Sequence, residues 1–208
     1  MMESKYVQNT YERIGNEFST TRYNIWPCVR DFLEDKTRQY GLDIGCGNGK
    51  NMIIDKMIGV DNCYKFIEIC KSKQKDVILS DVCNLPFNDN IFDFTICIAT
   101  LHHLSSDQRR EKCLLEMIRV LKVGGQGQLS VWSQEYQDKY VFDIGDNYVP
   151  WKSRTDRNQV FWRYYFIMNH KMFTDLIDKF HSYIDIKKIK NEKGNWIVVF
   201  TKKKHVVV

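Results

Sequence analysis

A glycine-rich stretch, LDIGCGNGK over residues 42–50, is the first candidate for a ligand site in the sequence. Glycine lacks a Cβ and tolerates positive φ, so such a turn lets the main chain approach a ligand closely. Its glycine spacing differs from that of the loops that hold phosphate oxygens on helix N-terminal amides. Asp43 stands at the mouth of the turn, where its charge would repel a pyrophosphate and attract a cation.

S-adenosylmethionine has the required chemistry, since it carries an ammonium and a sulfonium and has no phosphate. We therefore predict that Asp43, Gly45 and Gly47 begin a site for this cofactor, with S-adenosylhomocysteine as the product. The alternative for this stretch alone is an ordinary strand-to-helix turn.

Two more acids follow apolar runs, Asp61 in MIGVD and Asp81 in LSDVCNLPF. An acid at the end of a second strand accepts the hydroxyls of an adenosine ribose in dinucleotide-binding folds, so we assign Asp61 to the ribose and the adjacent Asn62 to the cofactor site. Asp81 is predicted to bond the adenine amino group, with Val82 against the ring. The alternatives are a solvated turn aspartate for the first acid and an Asx turn before Pro86 for the second.

Two adjacent histidines, His102 and His103, follow another apolar run in the stretch ATLHHL, residues 99–104. The carboxyl ends of parallel strands face the ligand crevice of an open α/β sheet, so we expect both histidines at that crevice and assign Ala99 and His102 to the cofactor site. Outside that context the pair would be a surface feature, or one packed and one exposed ring. Further metal ligands at suitable spacing are missing from the sequence, and we predict no metal.

An alternating α/β architecture would bring these residues to one edge. Apolar runs and helical periodicity alternate along the chain, which predicts a parallel α/β sheet. The predicted strands cover 40–44, 57–60, 76–79, 92–99 and 126–132, and the helices between them cover 48–54, 63–73 and 105–122. Further helices are expected from Tyr6 to Phe18, from Trp26–Pro27 onward and at 170–180, and a closing hairpin over 182–190 and 195–204.

Length and composition predict a single domain, because 208 residues with 43% hydrophobic content suffice for one core. We divide it into an N-terminal helical cap (1–38), a cofactor-binding half (39–132), a substrate-side loop (133–160) and a C-terminal substrate-side half (161–208). The loop is polar and aromatic, and we expect it over the carboxyl edge of the sheet, where loops carry function.

The formal charge of +5 is compatible with a polyanionic partner. Seven cysteines lie mostly within apolar runs and form no C-x-x-C pair, which predicts reduced, buried thiols and an intracellular compartment. We expect the cytoplasm, with a nuclear pool as the alternative. No apolar run approaches the roughly 18 residues that span a bilayer, so membrane attachment is not expected.

In order, the stretches LDIGCGNGK, GVD, SDVCNLPF and FDFTICIATLHHL resemble a class I S-adenosylmethionine-dependent methyltransferase. The resemblance implies a seven-stranded Rossmann-like sheet, mostly parallel with an antiparallel last strand, preceded by N-terminal helices. It also implies that the third strand is an edge of the sheet.

A closer resemblance extends over nearly the whole chain. The stretches FSTTRYNIWP, ATLHHLSSDQRREKCLLEMIRVLKVGGQGQLSVW, YVPW, RYYF and GNWIVVFTKKK are similar to the eukaryotic tRNA wobble-uridine carboxymethyl methyltransferases. Membership implies methylation of the carboxylate of 5-carboxymethyluridine in the tRNA anticodon stem-loop, giving the methyl ester. It also implies a small zinc-binding activator subunit as partner. Relatives often carry a long basic insertion within 133–160, and this chain is shorter there.

Methyl transfer to a carboxylate needs no general base, because that nucleophile is already ionised at neutral pH. The protein has to align the reacting atoms and exclude water, which calls for cations, donors and aromatic walls. The resemblance matches these residue types at Arg22, Tyr23, His102, His103, Trp132, Arg163 and Tyr164. We predict that Arg22 or Arg163 pairs with the acceptor carboxylate, that His102 and Trp132 shape the transfer pocket, and that Tyr23 contacts the cofactor. A surface ion pair for Arg22 and a core position for Trp132 are the alternatives.

The predicted third strand contains Val77, Ile78 and Leu79 in a row, a flat apolar edge that needs cover. Strand addition by the activator would supply it, whereas local helices are the competing account. Lysines at 187, 188, 190 and 202–204 could contact tRNA phosphates or guard strand ends against pairing.

Two rival functions follow from the cofactor motifs alone: a methyltransferase for a quinone or sterol precursor, and a catalytically silent interaction module. The stretches TTRY and NWIVVFTKKK disfavour the first. An intact cofactor loop disfavours the second.

Overall fold

The structure is a computed structural model that describes residues 2–135, 141–156 and 158–206. The helices in these ranges are α1 (Asn9–Thr20), α2 (Pro27–Leu33), α3 (Tyr64–Ser72), α4 (Asp107–Val120) and α5 (His170–Asp178). The strands are β1 (Gly41–Ile44), β2 (Met57–Asp61), β3 (Val77–Leu79), β4 (Phe92–Ile98), β5 (Leu121–Trp132), β6 (Gly145–Lys152), β7 (Val160–Ile167), β8 (Ile184–Asn191) and β9 (Asn195–Lys202). A π-helical turn, Ser4–Gln8, runs into α1, and a 3-10 turn, Leu101–His103, follows β4.

Seven strands form one sheet in the order β3-β2-β1-β4-β5-β9-β8. Strand β9 is antiparallel to both of its neighbours, and the pairs among β1 to β5 are parallel. The predicted Rossmann-like class I sheet is confirmed, including the antiparallel last strand, the closing hairpin and the edge position of the third strand.

The central strand β4 explains why this sheet is stable. Phe92, Phe94, Ile96 and Cys97 are fully buried on its two faces, between one cluster that includes α4 and another that includes α2. A strand buried on both faces reads as a continuous apolar run, as this one does. All seven cysteines are free and buried.

The helix expected at 48–54 is wrong, since this segment is a series of turns. Gly47 and Gly49 have φ of 53° and 72°, which interrupts a helix. The Asn48 side chain also donates to the main-chain oxygens of Ser19 (3.2 Å) and Arg22 (2.9 Å), so it bonds to the cap instead of supporting a helical turn.

The substrate-side loop expected at 133–160 is partly wrong, because residues 145–152 form β6. This strand pairs with β7 in a separate two-stranded antiparallel sheet. Pro150 does not prevent pairing, because β6 is an edge strand and a proline at an edge loses no ladder bond. Residues 136–140 and 157 of the expected loop lie outside the described residues.

Lys202 also departs from expectation. Its side chain is buried, and Nζ donates to Asn90 Oδ1 (2.9 Å) and to the main-chain oxygens of Arg119 (3.0 Å) and Leu121 (2.7 Å). Burial lowers the pKa of this ammonium to about 8. Lys202 therefore ties β9 to the end of α4 and cannot reach a tRNA phosphate. Within the described ranges, no helix has the length and apolarity to cross a membrane.

Candidate active site

A cavity of about 430 Å³ lies at the carboxyl ends of β1, β2, β4 and β5. The N-terminal helical segment, residues 2–20, lies over it and contributes Glu3, Val7, Tyr11 and Phe18 to its lining. Glu12 fixes this segment, the roof of the cavity, to α3, since its carboxylate accepts from the main-chain amides of Tyr64 (2.5 Å) and Lys65 (3.0 Å) at the start of that helix.

The glycine-rich turn after β1 presents main chain to the cavity. Gly45 has φ of 73°, and a Cβ there would lie 2.2 Å from the Thr100 side chain, so only glycine fits. At Gly47, also at positive φ, a Cβ would meet nothing within 4 Å. Ala99 faces the same cavity with φ of 56°, a conformation unusual for a residue with a Cβ. The turn thus leaves open space where a ligand can contact the backbone.

Asp61 lies at the end of β2 and lines the cavity. Its carboxylate accepts from the main-chain amides of Gly47 (2.8 Å) and Cys63 (2.9 Å), which couples the glycine turn to β2. Each oxygen keeps a second lone pair for another donor, such as a ribose hydroxyl. Burial raises the pKa of this carboxyl to about 6. Asn62 also lines the cavity.

Asp43 lies behind the turn and does not line the cavity. It has no exposed surface, and neither carboxylate oxygen has a hydrogen-bond partner among the described residues. Burial, with a smaller contribution from the Asp61 charge, raises the pKa of Asp43 to about 7. A buried carboxylate without donors is stabilised by a cation nearby. The ammonium and sulfonium of S-adenosylmethionine fit this requirement.

Asp81 stands in an ion pair rather than at the cavity wall. Its carboxylate accepts from Arg109 Nη2 (2.9 Å) and, in an Asx turn, from the Cys83 amide (2.9 Å). Arg109 Nε also donates to Glu3 (3.0 Å), which does line the cavity. Val82 lines the cavity as expected. The role of Asp81 toward an adenine stays a prediction.

His102 is buried, with 1% of its surface exposed, and it lines the cavity. Its Nδ1 accepts from the main-chain amide of Trp132 (3.0 Å), which requires the ring proton to be on Nε2. Burial holds the pKa of His102 well below its usual value, so the ring is neutral. Nε2 is buried and has no partner among the described residues, so this cavity-lining residue carries an unused N–H donor.

His103 is engaged on both ring nitrogens. Nδ1 donates to the main-chain oxygen of Tyr164 (2.8 Å), so Nε2 accepts from the Tyr11 hydroxyl (3.2 Å). Burial lowers the pKa of His103 to about 4. This histidine joins the roof to β7 and has no free position for proton transfer.

An aromatic wall stands beside His102. Tyr165 stacks on Trp132 at 4.4 Å between ring centres and on His102 at 4.8 Å. Sequence analysis missed Tyr165 and selected Tyr164. The side chain of Tyr164 lies on the opposite face of β7, and its hydroxyl donates to Asp146 of β6 (2.7 Å). The period-2 alternation of a strand, which puts residues 163 and 165 on one face, was the available signal.

The predicted cationic residues occupy different positions. Arg22 lines the cavity, with its guanidinium carbon 4.8 Å from the centre of the Phe18 ring, and Tyr23 lines its mouth with 74% of its surface exposed. Arg163 is buried outside the cavity lining and donates from Nη1 to the Tyr165 hydroxyl (2.9 Å). Arg163 therefore supports the aromatic wall.

Comparisons with known proteins agree with this geometry. The family model described as a methyltransferase domain matches residues 42–127. The tRNA (carboxymethyluridine(34)-5-O)-methyltransferase of Arabidopsis thaliana is 41% identical over 141 residues, which are 66% of this chain and 35% of that protein. The protein of the same name from Schizosaccharomyces pombe is 38% identical over 157 residues, which are 72% of this chain and 68% of that protein.

A chain from the solved complex between the Haloferax volcanii Trm112 methyltransferase activator and a methyltransferase has the same fold. Its TM-score is 0.70 at 13% identity, and the match covers 97% of this chain and 100% of that one. Among the sequence relatives, this chain spans about a third of the length of the Arabidopsis protein and about two thirds of the Schizosaccharomyces protein.

The sheet order and the pocket at its carboxyl edge define a class I S-adenosylmethionine-dependent methyltransferase. The 38% identity to the Schizosaccharomyces protein, of which this chain covers 68%, narrows this class to one family. The chain belongs to the tRNA (carboxymethyluridine(34)-5-O)-methyltransferase family.

Proposed function

We propose that this chain methylates the carboxylate of 5-carboxymethyluridine at the wobble position of tRNA and so forms the methyl ester. The names of its relatives support the substrate. The observation that carries the chemistry is the state of His102, a neutral cavity-lining ring whose buried Nε2–H has no partner among the described residues.

A carboxylate acceptor can be oriented by a hydrogen-bond donor and needs no general base to remove a proton. The acceptor is ionised at neutral pH, so no proton has to be removed before transfer. His102 cannot act as a base from Nδ1, which already accepts from the Trp132 amide. Its Nε2–H instead donates to one carboxylate oxygen and orients the other toward the methyl group. A hydroxyl or amine acceptor would need a proton acceptor in place of this donor.

We assign the parts of the cofactor to the residues that were predicted from the sequence. Gly45, Gly47 and Ala99 offer open backbone to the methionine part, Asp61 and Asn62 take the ribose, and Val82 packs on the adenine, with Tyr23 at the mouth. Asp43 stabilises the positive charge from behind the turn. S-adenosylmethionine supplies an electrophilic methyl group and leaves as neutral S-adenosylhomocysteine.

The remaining side chains hold the acceptor and exclude water. Arg22 supplies positive charge at the cavity wall, and Trp132 with Tyr165 forms a flat apolar surface beside the transfer point. Alignment of the reacting oxygen and removal of water lower the barrier without any proton transfer. Arg163 acts through Tyr165, whose hydroxyl it holds.

We infer that a small zinc-binding activator adds a strand to β3. This strand is a sheet edge, and Ile78 and Leu79 remain 36% and 52% exposed beside it. Local helices therefore leave part of this edge uncovered. The fold match to a chain from a Trm112 activator complex supports a partner of this kind.

The tRNA anticodon stem-loop is the proposed macromolecular substrate. Of the lysines considered for phosphate contact, Lys187 pairs with Asp185 (2.5 Å) and Lys190 pairs with Glu192. Lys188, Lys203 and Lys204 are exposed and form no ion pair with a described carboxylate. These three are the better candidates for backbone contacts, each of which would steepen the salt dependence of binding.

The test is transfer of labelled methyl groups to bulk tRNA from cells that lack the wobble methyl ester. The chain is assayed with and without the co-expressed activator. We expect base-labile label at the wobble uridine that depends on the activator. Measurable cofactor binding with no label on tRNA would overturn the substrate and favour a small molecule.

A further inference from the structure

Three sulfur-containing side chains converge at the glycine turn. Cys46 lies in the turn, Met52 follows it, and Cys70 is on α3. All three are buried in one apolar cluster, with 4%, 2% and 0% of their surfaces exposed. The Cys46 and Cys70 thiols are hydrogen-bonded to each other. Both also approach one acceptor, the main-chain oxygen of Gly47, at 3.8 Å and 3.2 Å.

The thioether of Met52 neighbours both thiols. A Cβ on Gly59 of β2 would lie 2.7 Å from Cys46 Sγ and 2.8 Å from Met52 Sδ. A Cβ on Gly49 would lie 3.0 Å from Cys70 Sγ and 3.6 Å from Met52 Sδ. Glycine at these two positions therefore leaves the space in which the three sulfur atoms meet.

The donor set determines which metal ion this cluster suits. Thiolate and thioether sulfurs are soft ligands, and Cu(I) is the ion that accepts both. Structural zinc sites use four ligands from cysteine, histidine and acidic side chains. Among the residues that the structure describes, no three side chains of these types converge so as to hold a metal ion. The sequence-based prediction of no metal rested on the same ligand types and did not consider methionine.

We propose that Cys46, Met52 and Cys70 form a binding site for Cu(I). Cys46 lines the cavity, which gives the ion a route to the cluster when no cofactor is bound. Two Cu–S bonds form as the S–H bonds of the cysteines break, and both protons leave to solvent. Met52 Sδ donates a lone pair, and no atom changes its oxidation state.

Occupation of this site alters the cofactor turn. A thiolate cannot donate, so the thiol contacts to the Gly47 oxygen are lost and the negative sulfurs repel that oxygen. The Gly47 amide donates to Asp61 (2.8 Å), so movement of the turn is passed to a residue of the cavity wall. The metal also links the turn to α3 through Cys70. The Cu(I) form therefore binds S-adenosylmethionine more weakly than the metal-free form.

Anaerobic titration with Cu(I), buffered by a chromogenic Cu(I) chelator, tests the site. The full chain is purified with its activator, whose own thiols give the same background in every sample. The variants are Cys46→Ser, Cys70→Ser, Met52→Leu and, as the control, Cys63→Ser. Cys63 is buried and lines the same cavity, but it packs in a different apolar cluster. Thermal melting confirms that each variant is folded.

We expect the wild type to hold one more Cu(I) than Cys46→Ser or Cys70→Ser, with sulfur ligands in its X-ray absorption spectrum. Affinity should fall more than about 100-fold in both serine variants, because outer partners of metal ligands alone contribute about 10- to 100-fold. Met52→Leu keeps the size of the side chain and should lose less, which tests the site even if a serine variant unfolds. Cys63→Ser should bind Cu(I) as the wild type does.

Calorimetry with S-adenosylmethionine tests the coupling to the cofactor. Saturation with Cu(I) should weaken cofactor binding about fivefold or more in the wild type and should leave the affinity of Cys70→Ser unchanged. Equal Cu(I) binding by the wild type and both serine variants at 46 and 70 would overturn the site, as would an equal loss in Cys63→Ser. Cu(I) bound at the three sulfurs with unchanged cofactor affinity would overturn the coupling.

Discussion

At the scale of single residues, two buried polar groups without partners among the described residues define what the pocket accepts. His102, which lines the cavity, has a buried N–H donor, and Asp43 places an unpaired carboxylate behind the glycine turn. Burial without a partner is unfavourable for both groups, so each is stabilised when a complementary ligand arrives. The donor suits an anionic acceptor and the carboxylate suits a cationic cofactor.

Replacement of His102 tests the donor directly. His102→Phe keeps a flat ring and removes the Nε2–H, so we expect kcat to fall about 10- to 100-fold, as loss of a hydrogen bond to a charged group implies. His102→Gln, which retains an N–H, should recover part of the rate. Steady-state kinetics with tRNA and calorimetry with the cofactor separate the two effects, because the cofactor Kd should change less than about twofold. A wild-type rate for the Phe variant would remove His102 from the site.

The pH dependence of cofactor binding tests Asp43. The pKa of this carboxyl is raised to about 7 by burial, and a bound cation favours its ionised form, so binding releases a proton below that pH. Affinity should therefore rise as the pH increases toward about 7 and level off above it. Calorimetry in two buffers with different ionisation heats measures the released proton. Asp43→Asn should bind more weakly and lose this pH dependence, and an identical proton release in that variant would refute the assignment.

At the scale of elements, the N-terminal helical segment and the β6–β7 hairpin enclose the pocket from two sides. Tyr11 on α1 and Tyr165 on β7 meet through their hydroxyls at 3.4 Å, and His103 lies between the same two elements. At the other end, Glu3 accepts from the amide (2.7 Å) and hydroxyl (2.8 Å) of Ser105 and from Arg109. A ligand in the cavity lies under this roof, so its release requires the roof to open.

Glu3→Gln should weaken the roof at the adenosine end. Loss of a partly exposed ion pair and its hydrogen bonds amounts to about 1 kcal/mol, which raises the cofactor dissociation rate about fivefold. Stopped-flow displacement measures this rate. Glu111→Gln is the matched control, because Glu111 on α4 pairs with Lys179 at the end of α5, outside the roof. Equal dissociation rates in the two variants would show that Glu3 does not hold the roof.

At the scale of the whole molecule, the sheet has two edges, and the short edge β3 is the proposed activator interface. Leu79→Asp should abolish co-purification of the activator and leave the chain folded, because 52% of Leu79 is exposed. Val160→Asp on the hairpin is the control, since Val160 is 42% exposed and lies far along the chain in a different sheet. Retention of the activator by Leu79→Asp would move the interface elsewhere.

Sequence patterns were sufficient to predict the main sheet, because apolar runs of strand length indicate strands buried on both faces. The glycine turn was also predicted, because its residue types and spacing can be recognised without knowledge of distant contacts. They failed where distant contacts decide the outcome. Asp81 meets Arg109, 28 positions away, and Asn48 bonds to the cap rather than continuing a helix. Proline disfavours a strand, so the edge strand β6, which contains Pro150, was not predicted. Strand alternation places Tyr165 on the same face as Arg163, but only the stacking of Tyr165 on His102 and Trp132 shows that this face of β7 meets the pocket.

The most direct measurement of the central claim compares two synthetic anticodon stem-loops that differ only at the wobble position. One carries 5-carboxymethyluridine and the other carries its neutral carboxamide. Methyl transfer by the chain with its activator is followed by mass spectrometry of the nucleosides. The donor state of His102 predicts methyl ester on the first stem-loop and no product on the second. Methylation of the carboxamide, or of neither stem-loop by a protein that binds the cofactor, would contradict a carboxylate acceptor.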